Sequence, residues 1–117
     1  MSDIVLYHNP RCSKSRETLK LLQENNNQPE LRLYLETPPS REELATVINK
    51  LGISARDLLR TGEQPYKDND LKNTDLSDEQ LIDAMLEHPK LIQRPIAISA
   101  DRAIIGRPPE AVLELLR

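Results

Sequence analysis

The first 35 residues constrain the fold more than any other stretch, because four local signals follow one another in a fixed order. Residues 3–7, ending Ile4-Val5-Leu6-Tyr7, read as a short buried strand. Asn9-Pro10 breaks it, since the residue before a proline is driven out of the helical region. A helix is predicted to begin near residues 12–15, with Leu19 and Leu22 inside and Glu17, Lys20 and Glu24 outside. Asn25-Asn26-Asn27 ends it, and Leu31, Leu33 and Leu35 then alternate with Arg32 and Tyr34, the pattern of a strand with one covered face. A strand–helix–strand unit of this kind pairs its strands in parallel through a right-handed crossover.

The middle of the chain is helical in pattern. Ser40 stands three residues before Glu43 as a capping box, with Leu44, Val47, Ile48 and Leu51 at helical spacing and Gly52 as the stop. Ser54 and Asp57 open a short helix through Leu58, Leu59 and Arg60. Ser77 and Gln80 make a second capping box, ahead of Leu81, Ile82, Met85 and Leu86, and Pro89 closes that helix. The acidic stretch around Glu63, Asp68, Asp70, Asp75, Asp78 and Glu79 reads as a solvated face. Residues 96–98 and 103–105 read as a hairpin turning near Ala100-Asp101. Pro108 and Pro109 suit the first turn of a last helix whose apolar face is Val112, Leu115 and Leu116. This order is that of an α/β, thioredoxin-like fold. It implies a central four-stranded mixed sheet flanked by helices, with a helical insertion after the second strand. A single domain is expected over residues 1–117, the insertion occupying about 40–90.

Composition narrows the function. The chain has no Trp and no Phe, and its net charge is −3, which argues against stacking on bases or tracking a phosphate backbone. No apolar run exceeds four residues, so no membrane span is expected, and the N-terminus lacks the pattern of a signal peptide. One cysteine allows no internal disulfide. Together these features predict a cytoplasmic protein, a monomer by default, with neither nucleic acid nor membrane as partner.

That single cysteine, Cys12, opens the first helix. Unpaired backbone N–H groups and the positive end of the helix dipole favour a thiolate there. Residues 4–16 contain no acid, but they contain His8, Arg11, Lys14 and Arg16, and Ser13 and Ser15 add hydroxyl donors. The segment thus combines a nucleophile with an anion cradle. A dithiol mechanism would need a second cysteine where Ser15 stands, and a phosphatase-type loop would need an arginine where Thr18 stands. One cysteine with His8 and His88 gives no metal-ligand spacing, so no metal is expected.

Three segments together carry a resemblance. Tyr7-His8-Asn9-Pro10-Arg11-Cys12-Ser13-Lys14-Ser15-Arg16, then Arg94-Pro95-Ile96, then Ile105-Gly106-Arg107-Pro108-Pro109-Glu110 are similar to the signatures of the ArsC family, the glutaredoxin-linked arsenate reductases. Arg11, Ser13 and Lys14 stand where the plasmid enzymes usually carry small residues. The chain more closely resembles the shorter, chromosomal branch. The resemblance implies that Cys12 forms a covalent adduct with arsenate, that glutathione adds as co-substrate, and that glutaredoxin resolves the product. It implies Arg60, Arg94 and Arg107 as the oxyanion-binding arginines and His8 as the residue that tunes the cysteine. No bound cofactor is implied. It also implies a cis Arg94–Pro95 bond, since thioredoxin-like folds commonly set a cis-proline opposite the active cysteine.

Two other readings stay open. One is a glutathione-linked thiol protein of the same fold acting on another substrate, for which the cationic Arg11 and Lys14 speak. The other is a regulatory binding module like the Spx proteins, against which Ser15 in place of a second cysteine speaks.

Overall fold

The computed structural model describes residues 4–116, so the predicted strand start at Asp3 lies outside the described residues. The chain divides into two compact units, Met1–Thr37 with Arg94–Arg117, and Pro38–Gln93.

The first unit holds the sheet. Strand β1 (Val5–Tyr7) is followed by helix α1 (Ser13–Glu24) and strand β2 (Glu30–Arg32), and the chain returns as β3 (Ile96–Ile98) and β4 (Ala103–Ile105). Their order is β2-β1-β3-β4, with β1 and β2 parallel and the other neighbours antiparallel. This is the expected mixed sheet of the thioredoxin-like fold. Side chains alternate between faces in a strand, so Ile4, Leu6 and Ala97 share one face. They pack with Leu22 of α1 and Val112, and Leu19 and Leu115 close around them. On the other face the Tyr7 ring stacks on Tyr34, centroids 6.0 Å apart.

Helix α1 ends at the expected asparagines, with Asn25 as its C-cap; the structure adds that Asn26 takes a left-handed φ of 65°. Two expectations change. The second strand stops at Arg32, because Tyr34 N–H turns back to Arg32 O, and Glu36 and Thr37 N–H both bond Leu33 O. Tyr34 is therefore the covered side chain, whereas Leu31 and Leu35 are 46% and 36% exposed. The last element, Pro109–Leu116, is a 3-10 helix. Its three-residue period sets Pro109, Val112 and Leu115 in one row, with Pro109 and Val112 buried, and leaves Leu116 outside that row.

The second unit is helical: α2 (Arg41–Leu51), a 3-10 turn (Arg56–Leu58), α3 (Gln64–Asp68), α4 (Asp78–Glu87) and a second 3-10 turn (Pro89–Leu91). Ser40 accepts the Glu43 N–H and Gly52 ends α2 with φ 70°. Both halves of the Ser77–Gln80 box form. Helices α2 and α4 pack together, joined by an Arg41–Asp83 ion pair. The helix opened by Ser54 and Asp57 is shorter than predicted. Leu59 turns extended and bridges Ile92, and Arg60 N–H bonds Leu91 O. Helix α3 falls within the stretch read only as an acidic face.

Candidate active site

Strand register decides what meets Cys12. Tyr7 is paired with Ile96, and Ile96 with Ile105. The turn after β1, the residues before β3 and the residues after β4 therefore all emerge at one end of the sheet. That brings together residues 8–12, Arg94-Pro95 and Gly106-Arg107.

Asn9 shapes the turn. Its Oδ1 accepts the Arg11 N–H at 3.0 Å, its carbonyl accepts the Cys12 N–H at 3.0 Å, and its own N–H donates to Ser15 Oγ at 3.0 Å. Cys12 is the N-cap of α1, with extended backbone (φ −97°, ψ 123°). The thiol closes no capping bond of ordinary geometry. Its partial burial works to raise the pKa. The Ser15 N–H, a hydrogen bond from Arg94, the Lys14 N–H and the Arg94 charge outweigh this, and the thiol lies below its ordinary value.

Arg107 approaches the same sulfur, its Nη2 4.0 Å from Cys12 Sγ, and its Nε donates to Arg94 O at 2.8 Å. Gly106 just before it is buried, and its N–H donates to Pro95 O at 2.8 Å. A Cβ on Gly106 would stand 2.7 Å from Thr18 Oγ1 and 2.8 Å from Pro95 Cγ. The Arg94–Pro95 peptide is cis, as the resemblance implied, and so is Arg107–Pro108.

His8 is buried, and its Nδ1 lies 2.6 Å from Ser15 Oγ. Burial, and then the charge of Arg16, hold the imidazole below its ordinary pKa. A neutral ring fits a Ser15 hydroxyl that accepts from Asn9 N–H and donates to Nδ1, which puts the ring proton on Nε2. His8 thus reaches the cysteine by holding Ser15, whose N–H serves the sulfur.

The remaining residues named from sequence fall as follows. Ser13 is the exposed first residue of α1. Lys14 contributes its backbone N–H, while its ammonium lies 3.9 Å from Glu17. Arg60 belongs to the second unit, where its Nε lies 3.8 Å from Glu63. The sequence reading missed Asn9 as a brace and Gly106 as a close-contact position. The Asn-Pro turn was a usable signal for the first, since an Asn side chain commonly bonds the N–H two residues on. Among the described residues, no group of three or more His, Cys, Asp or Glu is placed to hold a metal, and no helix is long and apolar enough to cross a membrane.

The chain is similar over nearly its full length to known proteins. The chain is 53% identical over 114 residues to YfgD of Escherichia coli (strain K12), covering 97% of this chain and 96% of that one; its name carries no activity. It is 51% identical to the arsenate reductase of Haemophilus influenzae, covering 97% and 98% of the two chains. The structure of an arsenate reductase from Vibrio cholerae superposes with a TM-score of 0.92 at 51% identity, covering 95% of each chain. The model of the ArsC family matches residues 7–115, nearly the full length, and the chain belongs to the ArsC family.

Proposed function

We propose that this protein reduces arsenate to arsenite through a covalent adduct on Cys12, with glutathione and glutaredoxin supplying the electrons. The observation that carries the reading is one sulfur served by the N–H groups of Ser15 and Lys14 and by two arginines, Arg94 and Arg107. That arrangement suits a thiolate and, beside it, a tetrahedral oxyanion. The arsenate reductases of Haemophilus influenzae and Vibrio cholerae, each about half identical to this chain, support the choice of substrate.

In this scheme the Cys12 thiolate attacks arsenic and one oxygen leaves as water, so arsenic stays pentavalent. The glutathione thiol displaces a second oxygen, again as water. A glutaredoxin thiolate then attacks the glutathione sulfur. The new S–S bond forms as the S–As bond breaks, its electron pair remains on arsenic, and arsenic becomes trivalent. Water hydrolyses the Cys12–As bond, releasing arsenite and restoring the thiol. Arg94 and Arg107 offset the negative charge of attack. The electrons come from thiols, with no bound cofactor, and a cytoplasmic monomer acting as one domain suits that supply.

The test is arsenite release from arsenate in the presence of glutathione and glutaredoxin, with Cys12→Ser inactive. If no arsenite forms while Cys12 still exchanges with glutathione, the reading moves to a thiol protein with another substrate. A Spx-like switch is disfavoured, since the position of its second cysteine holds Ser15, buried against His8.

A further inference from the structure

Beside the active-site turn lies a cavity of about 300 Å³ lined by His8, Asn9, Pro10, Arg11, Leu33, Leu35 and Glu36. All belong to the first unit. This volume is at the lower end of small-molecule sites, which combine apolar walls with a few polar groups. Leu33, Leu35 and Pro10 supply the walls. Cys12 is not among the lining residues, so the cavity is distinct from the oxyanion position under the arginines.

Two features point to an occupant. Arg11 and Glu36 carry opposite charges on the same rim, yet no ion pair among the described residues engages either side chain, with each other or with a third group. A ligand with both a carboxylate and an ammonium would satisfy the two at once. His8 also lines the cavity, its Nδ1 committed to Ser15. The wall ends at Arg11, the residue before Cys12, so a ligand held there lies within a short reach of the nucleophile.

We infer that this cavity binds the thiol co-substrate by its amino-acid end. The α-carboxylate of a γ-glutamyl group meets Arg11 and its α-ammonium meets Glu36, while the leucines cover the two methylenes that lead from the α-carbon to the γ-carbonyl. Arg11 and Glu36 are then specificity-determining residues for a γ-glutamyl thiol. The inference rests on the glutathione-linked reading above.

The experiment uses S-methylglutathione, which cannot react, titrated into the wild-type protein and followed by amide chemical shifts. Saturable shifts confined to residues 8–11 and 33–36 are expected. S-methylcysteinylglycine, which lacks the γ-glutamyl group, should bind at least about fivefold more weakly, and Arg11→Gln and Glu36→Gln should each weaken S-methylglutathione about five- to tenfold. Shifts mapping elsewhere, equal binding of the two probes, or unchanged affinity in both variants overturns the inference. No arsenate is involved, so the result stands apart from the proposed reaction. In turnover, Glu36→Gln should raise the KM for glutathione and leave the KM for arsenate alone. A glutathione KM unchanged in an enzyme that does reduce arsenate overturns the cavity assignment and leaves the reaction standing. Probe binding without arsenite formation does the reverse.

Discussion

Arg107 Nη2 stands 4.0 Å from Cys12 Sγ across 95 positions of sequence. Its Nε is tied to the Arg94 carbonyl, so the two arginines share one anchored geometry. Replacing either with lysine keeps a charge and removes the planar fork. Arg94→Lys and Arg107→Lys are each expected to lower kcat/KM about 10- to 150-fold, the equivalent of roughly 1.5–3 kcal/mol for a hydrogen bond to a charged group. Arg102, whose Nη2 donates to Glu114 O, is the control. Arg102→Lys should stay within about twofold of wild type. Equal activity of all three variants would remove the anion clamp.

The Cys12 thiol is held below its ordinary pKa, against its burial, by the Ser15 N–H, Arg94 and the Lys14 N–H. Alkylation rate against pH should give a midpoint below about 8.5, the free-cysteine value. A depressed pKa means that the unfolded chain binds the proton more tightly. The resulting stabilisation is present above the unfolded pKa and is lost as pH falls through the folded one. Arg94→Gln should move the alkylation midpoint upward.

His8 is neutral by burial and by the charge of Arg16. Its imidazole resonances should titrate below about 6.5. On acidification the unfolded state takes the proton first, so this group removes stability as pH drops below about 6.5 and stops doing so below the folded midpoint. Urea unfolding at a series of pH values reads the slope, which should be smaller in His8→Gln.

Ser15→Ala leaves the buried Asn9 N–H and His8 Nδ1 without their partner. A cost of about 1–3 kcal/mol is expected in urea unfolding. The alkylation midpoint of Cys12 should rise as the turn loosens.

Gly106→Ala places a methyl within 2.7 Å of Thr18 Oγ1 and 2.8 Å of Pro95 Cγ. Overpacking of this kind costs about 1–3 kcal/mol, and thermal unfolding should fall by about 4 °C per kcal/mol. Because Arg107 is the next residue, kcat/KM should fall as well. A variant with unchanged melting temperature and activity would show that the contact yields without consequence.

Much of this arrangement was legible in the sequence where a local signal had a single structural outcome. The stop of α1 at Asn25, Gly52 ending α2 and the reciprocal Ser77–Gln80 cap follow from backbone chemistry over a few residues. Cys12 at a helix start followed from the Asn-Pro break. What stayed hidden depended on partners distant in sequence. The 31–35 alternation named three leucines, but stacking on Tyr7 selects Tyr34 as the buried side chain. Pro109, Val112 and Leu115 fit a period of three, yet a single apolar face cannot separate that from an α-helix until the core beneath is known. Gly106 looked like part of a motif, and only the approach of Thr18 and Pro95 explains why a side chain would not fit.

The sheet is only three residues deep, with Tyr7, Ile96 and Ile105 in the row nearest the chemistry and Val5, Ile98 and Ala103 in the row farthest from it. Such a shallow sheet has a working rim and a spare rim. The spare rim carries the 99–102 turn, closed on itself by Ser99 and Arg102. New chain ends or an inserted reporter belong there: a fluorescent domain spliced between Ala100 and Asp101 would sit a full sheet's depth from the sulfur.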